Sequence, residues 1–203
     1  VLLDRSGDRA DVRTVLLDLP GVGPWTAAEV AQRALGDADA VSVGGWSIDL
    51  HPADGVYSDR APCNQWHAKG VYQIPFRCMY ARTLDNLLLA GRILSVSHVA
   101  FGSTRVMATC ATLGQACGTA AALAVYHGTT PRGVYEHHRL TLQTQLMDDD
   151  CYLPFHRRPI PALTQSAELI AAGEDAENLR NGYDRPIGAA DNGWTGHPGD
   201  SVT

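Results

Sequence analysis

Lysine is nearly missing from this chain: Lys69 stands alone against 15 arginines. That bias suits a GC-rich coding sequence and points to no class of partner. Positive charge is also short overall. The net charge of −6 argues against a broad nucleic-acid surface and leaves only a local contact open. The five cysteines (Cys63, Cys78, Cys110, Cys117 and Cys151) form no C-x-x-C pair, which excludes a zinc site of the usual spacing and a disulfide framework. Cys110 and Cys117, seven apart, read as small core residues. No run of 18 apolar residues occurs, so we expect no membrane span. The chain opens on Val1 without a signal-peptide pattern, which leaves localisation open. What remains is an ordinary globular composition, 45% hydrophobic over 203 residues, enough for one domain or two small ones.

Residues 86–128 organise the reading. The apolar run Leu87-Leu88-Leu89-Ala90, stopped by Gly91-Arg92, predicts a short buried strand. Gly102, Ser103 and Thr104 predict a loop. From Arg105 to about His127 there is no proline, and Ala, Leu, Met and Gln abound, which predicts one long helix. Ser103 or Thr104 would cap it and Gly128 would stop it. Gly114 and Gly118, four apart on the side of Ala111 and Ala121-Ala122, leave that helix a bare face for close packing. Strand, glycine-bearing loop and helix in this order aim a helix N-terminus at an anion or an electron-rich ring. Plain α/β packing gives the same pattern.

The motif series Tyr72-Gln73-Ile74-Pro75-Phe76-Arg77, Asp85-Asn86 with the apolar run, Ser97-His98 and Gly102-Ser103-Thr104-Arg105-Val106-Met107, continued over 108–118, resembles the C-terminal flavin-binding segment of FAD-dependent oxidoreductases of the fumarate reductase and glutathione reductase superfamily. The resemblance covers roughly residues 44–154. It implies FAD as cofactor and hydride transfer between flavin and a small organic substrate whose identity is open. It places Gly91, Arg92, Gly102, Ser103, Arg105, Val106 and Met107 at the cofactor, and His98 and Arg77 at the chemistry. Arg77 would grip a substrate carboxylate or hydroxyl in a bidentate contact, and His98 would shuttle a proton. His51 joins them as a polar residue near the flavin. A hydrogen-bonded structural role is the alternative for each histidine. Arg105 at the start of a helix opposes the dipole there. A substrate carboxylate, a flavin phosphate or a local Asp would each explain it.

Earlier in the chain, 44–52 alternates and predicts a strand, 71–76 a second strand closed by Pro75, and 58–70 a loop. Residues 1–43 differ in kind. A helical pattern over 11–18 ends at Leu19-Pro20-Gly21-Val22-Gly23, and Pro24 starts a second helix to Leu35. This helix-hairpin-helix, with L-P-G-V-G-P-W-T-A and A-L-G-D-A-D-A-V, is similar to the alkylpurine-type DNA glycosylases. It offers Gly21, Gly23 and Thr26 as DNA contacts through residues 20–26. The resemblance implies a catalytic Asp just after Val41-Ser42-Val43-Gly44, where Gly45 and Trp46 stand instead; the nearest acid is Asp49. Four Arg against seven acids in residues 1–43 also make a poor footprint for DNA.

Thr129-Thr130-Pro131 predicts a turn, and Val134, Leu140, Leu142 and Leu146 a helix to about Met147, ended by Asp148-Asp149-Asp150, acids that would fray its C-terminus, and followed by a short strand at 151–153. A linker from Arg157 leads to 178–195, which looks like the opening strands of a galactose-binding-like β-sandwich and is expected to be largely disordered. We therefore expect an α/β (α+β) chain in three parts. Residues 1–43 form a hairpin fragment, 44–156 an incomplete FAD-binding fold with a long flavin-facing helix, and 157–203 a tail. The G-x-G-x-x-G that holds the dinucleotide pyrophosphate is not found: Gly21-x-Gly23 runs into Pro24-Trp25-Thr26. FAD binding by residues 1–203 alone is expected to be weak or nil. The competing readings are a DNA-binding module without its catalytic Asp, or a fusion product without function. No metal site is expected.

Overall fold

The structure, a computed structural model, describes residues 39–67, 70–171, 176–185, 193–198 and 200–201. The helix-hairpin-helix predicted in residues 1–35, with Gly21, Gly23 and Thr26, lies outside the described residues.

The described chain is mixed α/β, with two small antiparallel sheets and helices laid on them. Strands β1 (Ala40–Gly44) and β4 (Tyr72–Pro75) pair, with Ser42 opposite Ile74 and a bulge between Ala40 and Ser42. Strands β2 (Ile48–Leu50) and β3 (Asn64–Trp66) form the second pair. β3 falls where a loop was predicted over 58–70. Its side chains are exposed, so no apolar periodicity announces it. β1 covers a stretch that the motif reading assigned to the hairpin fragment, yet it is tied into this fold: Ala40 and Val41 are fully buried.

The long helix exists as two. Helix α1 (His98–Thr104) is capped by Ser97, whose side chain accepts from the Ala100 N–H. Helix α2 (Met107–Tyr126) follows after a two-residue break. The predicted loop at Gly102, Ser103 and Thr104 is thus helical, and neither Ser103 nor Thr104 caps α2. Gly102 decides this. A β-carbon there would lie 2.8 Å from the Asp49 carbonyl oxygen, so glycine lets α1 lie directly on β2.

The residues 87–90, predicted as a strand, make only an isolated bridge, Leu88 to Tyr80, supported by Leu89 N–H to Met79 O at 2.7 Å. Gly91, at φ +68°, then turns the chain into a single 3-10 turn.

Helix α2 buries Thr109, Leu113, Ala116, Ala120 and Ala124, one stripe at helical spacing, against β1 and against α4 (Arg139–Asp148). Helix α3 (Pro131–His137), with Pro131 in its first turn and the Thr130 hydroxyl accepting from Gly133 N–H, completes the layer. The single helix predicted there breaks at His138. The core includes Val41, Phe76, Met79, Leu113, Val134, Leu142, Leu146 and Leu153, all 1% exposed or less.

Two helices end alike. After α2, Gly128 N–H reaches Val125 O and Thr129 N–H reaches Ala124 O, with Gly128 at φ +60°. After α4, Asp150 N–H reaches Met147 O and Cys151 N–H reaches Leu146 O, with Asp150 at φ +62°. Both are Schellman motifs. The carbonyls that the acidic run was expected to leave fraying are therefore satisfied. Cys151 and Leu153 are buried and Tyr152 is half-buried, but 151–153 is not a strand. Past Arg157, the chain described includes a short helix α5 (Ala162–Ser166) and a 3-10 turn at Ala176–Arg180.

Candidate functional site

Where α1 lies on β2, a pocket of about 170 Å³ opens between them, lined by Asp49, His51, Arg92, His98, Phe101 and Arg105 among others. β2 supplies Asp49, and His51 follows two positions on, where strand geometry sends both side chains to the same face. Arg105 sits at the C-terminal end of α1, not at the start of a long helix. The dipole there favours a cation, which removes the conflict seen in the sequence.

The Arg105 guanidinium donates to Asp49 Oδ2 at 2.8 Å and to His51 Nε2 at 3.2 Å. Asp49 Oδ2 is also 3.3 Å from His51 Nε2. The other Asp49 oxygen, Oδ1, is buried without a donor. His51 Nδ1 lies 2.9 Å from the Pro62 carbonyl. Arg92 lies over the Phe101 ring at 5.7 Å from its centroid, a cation–π contact. Two guanidinium groups against one carboxylate leave the pocket one unit positive when both imidazoles are neutral. Such a pocket favours a small anion.

Of the residues singled out in sequence, His51, His98, Arg92, Arg105 and Gly102 meet here. Arg77 does not. It binds the buried Asp39, Nε to Oδ2 at 3.1 Å, and its own N–H also donates to that oxygen at 3.2 Å. Ser103 is buried and structural: its hydroxyl donates to Trp46 O at 2.6 Å and accepts from Tyr72 Oη at 2.5 Å. Burial pushes the Tyr72 phenol up, partly offset by the Ser103 hydrogen bond, so Tyr72 keeps the proton this relay requires. Val106 precedes α2 without capping it, and Met107, at the start of α2, is 89% exposed.

Asp49 was missed as a site residue. The available signal was Asp49-Leu50-His51, a polar pair two apart in a strand pattern. Among the described residues, no group of three or more His, Cys, Asp or Glu side chains can hold a metal.

Comparison with known proteins accords with the motif reading. Residues 25–146 match the family model described as FAD dependent oxidoreductase. That is more than half of the 203 residues, and the chain belongs to this family. The match begins before the boundary drawn at 43/44 and takes in β1. A second similarity comes from another kind of protein. A 40-residue stretch, 20% of this chain, is 55% identical to the "Probable bifunctional transcriptional activator/DNA repair enzyme AlkA" of Mycobacterium tuberculosis, in strains CDC 1551 / Oshkosh and ATCC 25618 / H37Rv. The stretch spans only 8% of the length of that relative. The two similarities together fit a fusion. No solved structure gives a significant match.

Proposed function

We propose that this chain carries the substrate-facing part of an FAD-dependent oxidoreductase, with the pocket between β2 and α1 holding a small carboxylate beside the flavin. The observation that carries the reading is the positive pocket one residue from the start of α2: Arg105 closes the pocket, and Met107 opens a 20-residue helix with no side-chain cap. The family membership supplies the cofactor, and FAD when bound accepts or gives the hydride.

The residues present fit one side of such a cofactor. The uncapped α2 start offers unpaired N–H groups, and beta-carbons at Gly114 and Gly118 would meet nothing within 4 Å. The pyrophosphate side finds no match, because residues 1–203 contain no G-x-G-x-x-G. The work of this chain's own residues is therefore binding and orientation. Arg105, held by Asp49, and Arg92, held by Phe101, fix a carboxylate through pre-organised donors, while His51 and His98 are placed to hold or pass a proton.

Titrating FMN and FAD at millimolar concentration into the isotope-labelled chain tests this by NMR. Amide shifts should concentrate at 106–111. Shifts confined elsewhere, or none, would sink the proposal. A stoichiometric flavin spectrum near 450 nm after purification would instead show a self-sufficient flavin site, against the expectation of weak binding.

The 55% identity to the AlkA relative supports a narrower second reading, a DNA contact at Gly21, Gly23 and Thr26. A salt-dependent gel shift with duplex DNA, lost on changing both glycines, would support it; no shift at low salt would end it.

A further inference from the structure

We propose that α3 and the start of α4 carry a contact for single-stranded nucleic acid, in which the guanidinium groups of Arg132 and Arg139 take phosphates at their edges and bases on their faces. This contact is independent of the flavin reading. Arg132 lies beyond the far end of α2, about 30 Å of helix from the uncapped turn at Met107.

Arg132 and Tyr135, three apart on α3, share a helix face, and Arg139 opens α4 beside them. The Arg132 guanidinium lies over the Tyr80 ring, 5.3 Å from its centroid, and Arg139 lies over Tyr135 at 5.9 Å. The two rings are 6.0 Å apart. Both tyrosines pack against the core, and Tyr80 meets Phe76 edge-on at 5.3 Å between centroids. Cation, ring, ring and cation thus form one ribbon, fixed from beneath. Stacking of this kind orders both guanidinium groups before any ligand arrives.

Among the described residues, no carboxylate lies within 4.0 Å of either guanidinium. Arg132 makes one long hydrogen bond, 3.4 Å to the Arg82 carbonyl, and Arg139 Nε is buried without an acceptor. The acids of the neighbourhood are placed elsewhere: Asp39 is buried against Arg77, Glu136 faces His137 at 3.9 Å, and Asp85 lines a groove with Pro131. Burial pushes the Tyr80 phenol up, against the pull of Arg132 and Arg77, so it stays a donor beside the cations. Uncompensated positive charge of this density, in a chain of net charge −6, fits an anion. The two arginines line neither the pocket at α1 nor the groove beside Pro131. A ligand there meets a surface, and repeated charge rather than enclosure has to hold it. A guanidinium backed by a ring on one face offers its other face to a base and its edge to a phosphate. An acidic peptide would use the edges alone.

A fluorescein-labelled oligothymidylate is the probe, read by fluorescence anisotropy against the full chain. Two neutralised phosphates give a salt slope of about −1.4 on logarithmic axes, so a tenfold rise in salt should weaken binding about 25-fold. The double variant Arg132→Gln, Arg139→Gln should lose this binding. Arg132→Lys with Arg139→Lys keeps both charges and the salt slope but gives up the planar faces, so affinity should fall about fivefold or more. An abasic strand should bind the wild-type chain more weakly than oligothymidylate does, and the lysine variant equally well. Amide shifts in the wild-type chain report the site without a variant and should fall at Tyr80 and 131–139. No binding at low salt, a lysine variant that binds as tightly as wild type, amide shifts elsewhere, or oligoglutamate that displaces the probe as well as unlabelled oligothymidylate would each overturn the proposal. Undiminished binding by the glutamine variant would overturn it too, and would hand the contact to the helix-hairpin-helix.

Discussion

Replacing Gly102 by alanine should damage fold and pocket together. The added methyl would sit 2.8 Å from Asp49 O, 2.9 Å from Leu50 Cδ2 and 3.3 Å from Asp49 N. The leucine methyl can swing away, but the two backbone atoms belong to β2 and can yield only if α1 retreats. Relief to ordinary contact needs a shift of about 0.6 Å, and overpacking of this kind costs roughly 1–3 kcal/mol. For a chain of this size that is roughly 2–12 °C in melting temperature. The shift also moves Arg105, at the end of α1, away from Asp49, so the pocket's affinity for a small carboxylate should drop with stability. Thermal unfolding by circular dichroism and calorimetry with acetate read both effects. Gly114→Ala is the internal control. A β-carbon there meets nothing within 4 Å, so only the helix term acts and the variant should gain about 0.5–1 kcal/mol. A Gly102→Ala protein melting at or above wild type would refute the close approach of α1 to β2.

Three further outcomes follow from particular residues. Arg77→Met should cost about 1–3 kcal/mol by taking the guanidinium from the buried Asp39 carboxylate, yet leave acetate affinity unchanged; weakened binding in the folded variant would return Arg77 to the site. Asp150→Gly should raise the melting temperature by about 1–4 °C, because it removes a left-handed non-glycine from the α4 terminus; its contact to Arg158, with the Asp150 side chain 96% exposed, is too solvated to oppose this. His138 stacks on His127 at 3.7 Å between centroids, and burial, then the His127 and His137 charges, hold its pKa below the ordinary value. A lowered histidine pKa means the unfolded chain binds the proton first. Stability should therefore fall as pH drops through about 6.5, and His138→Gln should flatten that slope between pH 7.5 and 5.5. Parallel melting curves for the two proteins would refute it.

Parts of this molecule were legible because local chemistry and tertiary context agree. Helix α2 is free of proline, rich in alanine and stopped by Gly128, and it ends where glycine can take φ +60°. The matching terminus of α4 was not legible, since Asp150 performs the same turn with a side chain that does not announce it. Gly102-Ser103-Thr104 reads as loop by propensity, but packing on β2 holds it helical. Leu87 to Ala90 reads as a buried strand by composition, but among the described residues it finds only one bridge, to Tyr80. For the site, the sequence offered His51, His98, Arg92 and Arg105 separately; pairing needed β2 beside α1, a contact that no spacing rule contains. Nor does any spacing rule show that the Arg77 guanidinium meets Asp39 of the same chain, Nε to Oδ2 at 3.1 Å.

Helix α2 carries the plainest tension between sequence and structure. Its 20 residues include no charged side chain, the composition of a helix enclosed on all sides. Yet only one stripe is packed, while Met107, Val125 and Tyr126 are each more than 80% exposed. By length and a mean hydropathy of 1.3 it could cross a bilayer. However, a spanning helix would have to withdraw Leu113, Ala116 and Ala120, all fully buried, from β1 and α4, and the core has nothing to replace them. The helix is therefore a core helix with an open side. That side begins at the uncapped turn beside Arg105, so the surface the proposed flavin would need and the surface the composition leaves unexplained are one and the same.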